Sequence, residues 1–155
     1  MLAFRIAHYK YAHSLSVSGF EGRWNSKGKL VLYASENIAT SLLENIIYRT
    51  GTGFNNDYKI MVIYHPEEHI EQIITSNLPK DWRSMESYDQ LQKIGDSWYD
   101  EQRSLCLKVP SSILPDNYNV IFNTTHPEFK NVKLIDVLDY EPDERLEKLL
   151  KKYKK

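Results

Sequence analysis

The chain has 155 residues, of which 41% are apolar and 26% charged, and its formal net charge is −1. These totals suit one domain over residues 1–155 with one core. They exclude a strongly basic nucleic-acid binder and a chain drawn to a membrane by its overall charge. No apolar run approaches the length of a bilayer span. The N-terminal MLAFRIAHYKYAH lacks the apolar stretch of a secretory leader, and the lone Cys106 has no partner for an internal disulfide. A cytoplasmic address is therefore expected.

In chain order, Leu2 to Ile6 reads as a strand that buries Leu2, Phe4 and Ile6 on one side and turns Arg5 to the other. Arg5 has two readings: an edge-strand residue facing water, or an anion ligand whose planar fork matches phosphate. His8 to Lys29 is polar and glycine-bearing and reads as a long loop, a kind of segment that is usually functional or mobile. Near its end stands Gly22-Arg23-Trp24-Asn25. There glycine permits close approach of backbone to a ligand, arginine offers a cation and tryptophan an aromatic surface. Leu30 to Ala34 is a short apolar strand whose one polar-tipped member is Tyr33; a buried tyrosine ordinarily fills core and satisfies its hydroxyl.

Ser35 is placed to cap a helix running to about Arg49, with Gly51-Thr-Gly53 as its stop. Ile38, Leu42, Leu43 and Ile46 fall at helical spacing and are expected to face the core. Glu44 projects roughly opposite, so periodicity favours a solvent-facing carboxylate unless that face lines a cleft. Tyr58 to Tyr64 reads as a strand ended by Pro66, and Ile70 to Ile74 as another strand or an edge segment. Ser84 to Gln102 has helical spacing interrupted at Gly95. Leu105 to Val109, Tyr118 to Phe122 and Val132 to Leu138 complete the strands, with Cys106 as a small core residue. Pro142-Asp143 opens a terminal helix with an acidic start and a basic tail, the order its dipole favours. Several strands follow one another without a helix, which argues for an α+β fold with a mixed or mostly antiparallel sheet.

Conventional signatures are missing. There is no phosphate-binding P-loop and no GxGxxG, and no Gly-x-Ser-x-Gly elbow. His65 and His69 have i,i+4 spacing, but Pro66 between them spoils a helical metal face, so no metal site is expected. The chemistry left to the chain is arginine, tyrosine, asparagine, serine and a lone glutamate.

The ordered set FRI, GRWNSKG, VLYASE, SLLE, LPKDW, IGDSW, LCLKVPSSILP and NVIFNTTHPEF resembles the RES-domain family, from about Phe4 to Phe129 and on toward Arg145. That resemblance implies an ADP-ribosyltransferase-like fold, with small packed sheets around an NAD cleft. It implies the toxin of a bacterial type II toxin–antitoxin pair, with an Xre-like helix-turn-helix antitoxin as partner. NAD would be the substrate, consumed by hydrolysis, phosphorolysis or ADP-ribosyl transfer. Position by position, it puts Arg5, Arg23, Tyr33 and Glu44 in the catalytic set. It adds Trp24, Asn25, Ser35, Ser111 (with Ser112 as the alternative) and Asn123 to the binding set. Phe4 stands where the family often has tyrosine, and no proline follows Asn123.

Two other classes compete. A non-catalytic NAD-binding partner would have no need of Glu44. An RNA-cleaving toxin would need a basic surface and paired acid–base groups, which the net charge and scattered histidines disfavour. Exposed aromatics among the 11 tyrosines leave room for a homodimer.

Overall fold

The computed structural model describes residues 1–49 and 55–152. The elements run β1 (Leu2–His8), β2 (Val31–Ser35), α1 (Ile38–Tyr48), β3 (Tyr58–Tyr64), β4 (Ile70–Gln72), α2 (Tyr88–Asp100), β5 (Cys106–Pro110), β6 (Tyr118–Asn123), β7 (Lys133–Asp139) and α3 (Glu144–Lys152), with short 3₁₀ turns between some of them. The described strands form a sheet in the order β4-β5-β6-β2-β1-β3-β7. Only the β4–β5 pair is parallel. This is the α+β architecture expected from consecutive strands without intervening helices.

The sheet is continuous in order but not in strength. β1 pairs with β3 from Leu2↔Tyr64 to His8↔Tyr58, and β2 pairs with β6 along its whole length, Val31↔Asn123 to Ser35↔Asn119. Between β1 and β2 the register holds a single pair, Phe4↔Ser35. The sheet therefore consists of two well-laddered halves that meet at a seam.

β1 is a central strand, and this corrects two expectations. Leu2 is 44% exposed, while Ala3 and Ala7 are sealed in the core and Ile6 is buried on the other face. A strand covered on both sides does not show the one-sided alternation of a half-buried one. Arg5 accordingly does not lie on a sheet edge; it lies at the seam.

On one face of the sheet Ala3, Leu32, Met61 and Phe122 form the core. On the other, α2 lays Leu91 and Trp98 against Trp24, Leu107 and Ile121. α2 runs through Gly95 without the expected interruption, preceded by a 3₁₀ turn over Met85–Ser87. Gly95 is there because the helix touches the GRWN loop: a Cβ at Gly95 would stand 1.7 Å from the Trp24 carbonyl oxygen. Ser26 Oγ and N both donate to Asp96 beside it, fastening loop to helix.

α1 also departs from its periodicity. Its N-cap is Asn37, whose Oδ1 accepts from Thr40 N, and not Ser35, which closes β2. Its buried residues are Thr40, Ser41, Asn45 and Ile46, whereas Ile38 is 37% exposed. The helix thus turns a largely polar face inward; of the expected stripe Ile46 is buried and Leu42 packs on the cluster of Ile6, Tyr58 and Ile60. Its C-cap is Arg49; the proposed stop at Gly51-Thr-Gly53 lies outside the described residues. Among the described residues no helix is long and apolar enough to cross a membrane.

Two outcomes follow from this packing. Gly95→Ala forces α2 off the Trp24 carbonyl and is expected to cost about 3 kcal/mol or more, read as a lower urea midpoint. Leu105, Cys106 and Leu107 are all fully buried, and burial pushes the Cys106 thiol up to about 12. Native protein should therefore resist iodoacetamide at pH 8 and be labelled only in urea. Because the folded pKa is the raised one, this contribution is intact below the ordinary thiol value. It is lost as pH climbs from about 9 toward about 12, and a pH series of unfolding midpoints checks it.

Candidate active site

The seam is where the chemistry collects. Arg5 Nη1 crosses from β1 to β2 and donates to the Tyr33 carbonyl at 2.8 Å, just past the one register pair. The guanidinium takes up an acceptor at the point where the backbone ladder stops. Burial lowers the Arg5 pKa from its ordinary value, with the positive charge of Arg49 adding to the effect. Among the described residues no carboxylate forms a salt bridge with Arg5. A partly buried cation without a carboxylate partner suits an anionic ligand.

Glu44 lies on the inward side of α1, half-buried rather than solvated. Its Oε1 accepts from Ser111 Oγ at 2.8 Å and from Asn119 Nδ2 at 2.7 Å. Ser111 is fully buried after β5, and its oxygen in turn accepts from Ile113 N and Leu114 N. Ser111, not Ser112, is the serine that reaches the glutamate. Asn119 Oδ1 accepts from Ser35 Oγ at 2.7 Å, which gives Ser35 a place in the network instead of at the helix cap. The start of α1 is tied to β6 by the Glu36 N to Tyr118 carbonyl bond, by Tyr118 N to Glu36 Oε1 and by Asn37 Nδ2 to Asn117 Oδ1. The helix is thereby fixed in register with the strand that carries Asn119.

Tyr33 joins the seam to the GRWN loop. Its hydroxyl donates to Asn25 Oδ1 at 2.6 Å and accepts from Trp24 N at 3.2 Å. Burial raises its pKa far above the usual phenol range, so the ring stays neutral. Gly22 allows this approach, since a Cβ there would stand 2.8 Å from the Tyr33 hydroxyl.

The structure does not bring the other expected residues to the same point. Arg23 Nη1 reaches the carbonyls of Trp82 and Arg83, both at 3.1 Å, and that of Ser84 at 3.5 Å, with its guanidinium over the Tyr88 ring. It acts first as a clamp on that turn. Arg83 then straps the same turn to the segment carrying Ser111, donating to the Ser112 and Ile113 carbonyls. Arg23 is thus coupled to Glu44 through backbone rather than by contact. Trp24 is buried against Trp82 at the core. Asn25 is 1% exposed, with its amide committed to the Phe20 and Ser26 carbonyls. Asn123 donates to the Tyr99 carbonyl and accepts from Thr125. These three side chains hold scaffold.

Sequence reasoning passed over Asn119 and Arg83. Asn119 carried a usable signal, a polar residue inside the apolar run of β6. Nothing local marked Arg83.

A model of the RES domain matches residues 2–146. A protein called Toxin Res from Photorhabdus laumondii is 30% identical over 97% of this chain and the whole of that protein. One called Prs ADP-ribosylating toxin from Sphingobium sp. is 30% identical over 81% of this chain and 80% of its own length. The fold is similar to a chain of the crystal structure of the M. tuberculosis MbcT–MbcA toxin–antitoxin complex, with a TM-score of 0.71 and 16% identity over 97% of this chain and 88% of that one.

The role of Tyr33 is open to direct measurement. Tyr33→Phe leaves Asn25 Oδ1 and Trp24 N–H without their phenol partner in a buried place. A stability loss of about 1–3 kcal/mol is expected in urea unfolding.

Proposed function

Because the chain belongs to the RES domain family, we propose that it is the toxin of a toxin–antitoxin pair and that it consumes NAD by breaking the nicotinamide–ribose bond. Relatives named as toxins, one of them as ADP-ribosylating, support the class of activity, and the similarity to a chain from a toxin–antitoxin complex agrees with it. The partner in this reading is a helix-turn-helix antitoxin, and the site of action the cytoplasm.

The observation that carries the reaction is the state of Glu44. A carboxylate that periodicity assigns to solvent is drawn inward and given two donors on one oxygen, on the helix that packs beside the Arg5 seam. As the C1′–N bond lengthens, its electron pair leaves with nicotinamide, which departs neutral and needs no general acid. That is unlike ordinary glycoside hydrolysis with its paired carboxylates. Positive charge grows on the ribose, and Glu44 stabilises it electrostatically while holding a ribose hydroxyl. Arg5 holds the diphosphate as a buried cation. Arg23 supports the turn at 82–84, which Arg83 straps to the segment carrying Ser111. The nucleophile that bonds to C1′ is water, inorganic phosphate or a protein side chain, and it gives up its proton to solvent.

Glu44→Gln is the informative variant. The Gln carbonyl oxygen takes the same two donors, so the fold survives while the charge goes. Nicotinamide release from NAD is expected to fall by about 10²–10³, with an unchanged melting temperature. A folded E44Q protein that releases nicotinamide at the native rate would sink the assignment. Arg5→Ala is expected to raise KM for NAD. Mass spectrometry of the products with and without phosphate identifies the acceptor.

A further inference from the structure

We propose that Asn119 is the positioning residue of Glu44, fixing which carboxylate oxygen meets the substrate. The inference rests on the reading of Glu44 given above and goes beyond it to a residue to which the sequence reading gave no role.

The orientation of the Asn119 amide is dictated by its neighbours. An ionised carboxylate only accepts, so Nδ2 must face Glu44; the reverse orientation would set oxygen against oxygen. Ser35 then supplies the proton that Oδ1 needs, at 2.7 Å. The Ser111 hydroxyl is equally constrained. Its oxygen accepts the amides of Ile113 and Leu114, so its one proton goes to Glu44. Both donors converge on Oε1, one from β6 and one from the turn after β5. Among the described residues Oε2 accepts no hydrogen bond, so it is the oxygen presented to the ribose.

Neither support can drift. Asn119 is paired with Ser35 in the β2–β6 ladder and with Val109 in the β5–β6 ladder. A glutamate on a helix would otherwise sample several rotamers of its long side chain. Here the rotamer is settled before substrate arrives. Misplacement of a reacting group by about 1 Å can cost on the order of 10²-fold in rate. Removing the Asn119 donor should therefore act on turnover more than on binding.

The test is a kinetic split combined with a double-mutant cycle. Asn119→Ala is expected to lower kcat for nicotinamide release by about tenfold to a hundredfold, with KM for NAD within about twofold of native. Asn119→Asp keeps the size and still accepts from Ser35 but places a like charge against Oε1, and it should lose at least as much. Combined with E44Q, N119A should add no further loss, because its effect runs through Glu44. Native kcat in a folded N119A or N119D protein would overturn the proposal. So would a full additional loss in the E44Q background, or failure of both variants to fold, which would mark Asn119 as a packing residue. An E44Q protein that keeps native activity would instead refute the reading of Glu44 itself. Inactive E44Q beside fully active N119A refutes only the role given to Asn119.

Discussion

The structure depends on a sheet that nearly comes apart. β1 and β2 share one register pair, while each is fully laddered to its other neighbour. Strand pairing leaves backbone donors and acceptors wherever it stops, and those groups need partners. Arg5 answers that need by donating to the Tyr33 carbonyl. The same circumstance that seats a buried guanidinium at the centre of the sheet also makes that place suited to an anion. The two-part sheet and the Arg5–Tyr33 contact are two consequences of one interrupted ladder.

The helix that follows β2 is built to this end. A helix buried against an apolar sheet would turn Ile38, Leu42 and Ile46 inward together. α1 buries Thr40, Ser41 and Asn45 alongside Ile46 and leaves Ile38 37% exposed. The strand residues it meets include Ser35 and Asn119, which are themselves polar and paired. A polar helix face on a polar strand patch is stable only when the hydrogen bonds close, as they do around Glu44.

Support for the network comes from far along the chain. Arg23 grips the turn at 82–84, Arg83 grips the segment at 112–113, and Ser111 at the start of that segment holds Glu44. Gly95 and Gly22 are the spaces through which loop and helix come close enough for this to work. Arg23 is thus a structural clamp on that turn.

Much of the fold could be read directly from residues. Every expected strand is present, β4 lies at the end of the sheet, and Cys106 is core. The α+β class followed from the order of those strands. Local pattern left Arg5 open and sent Glu44 to solvent; only the family resemblance, carried by the ordered motifs, marked Arg5, Tyr33, Glu44 and Ser111. What the chain's order alone determined is which residue types are available and which elements they build, because periodicity and turn chemistry act over a few residues. Only the tertiary structure decided that Arg5 lies at a central seam, that α1 turns a largely polar face inward, that Asn119 meets Glu44, and that Trp24, Asn25 and Asn123 contact protein partners away from Glu44. Each of those outcomes is a pairing between residues tens of positions apart. Such pairings are set by strand register and by competition for buried hydrogen-bond partners, neither of which a local window contains.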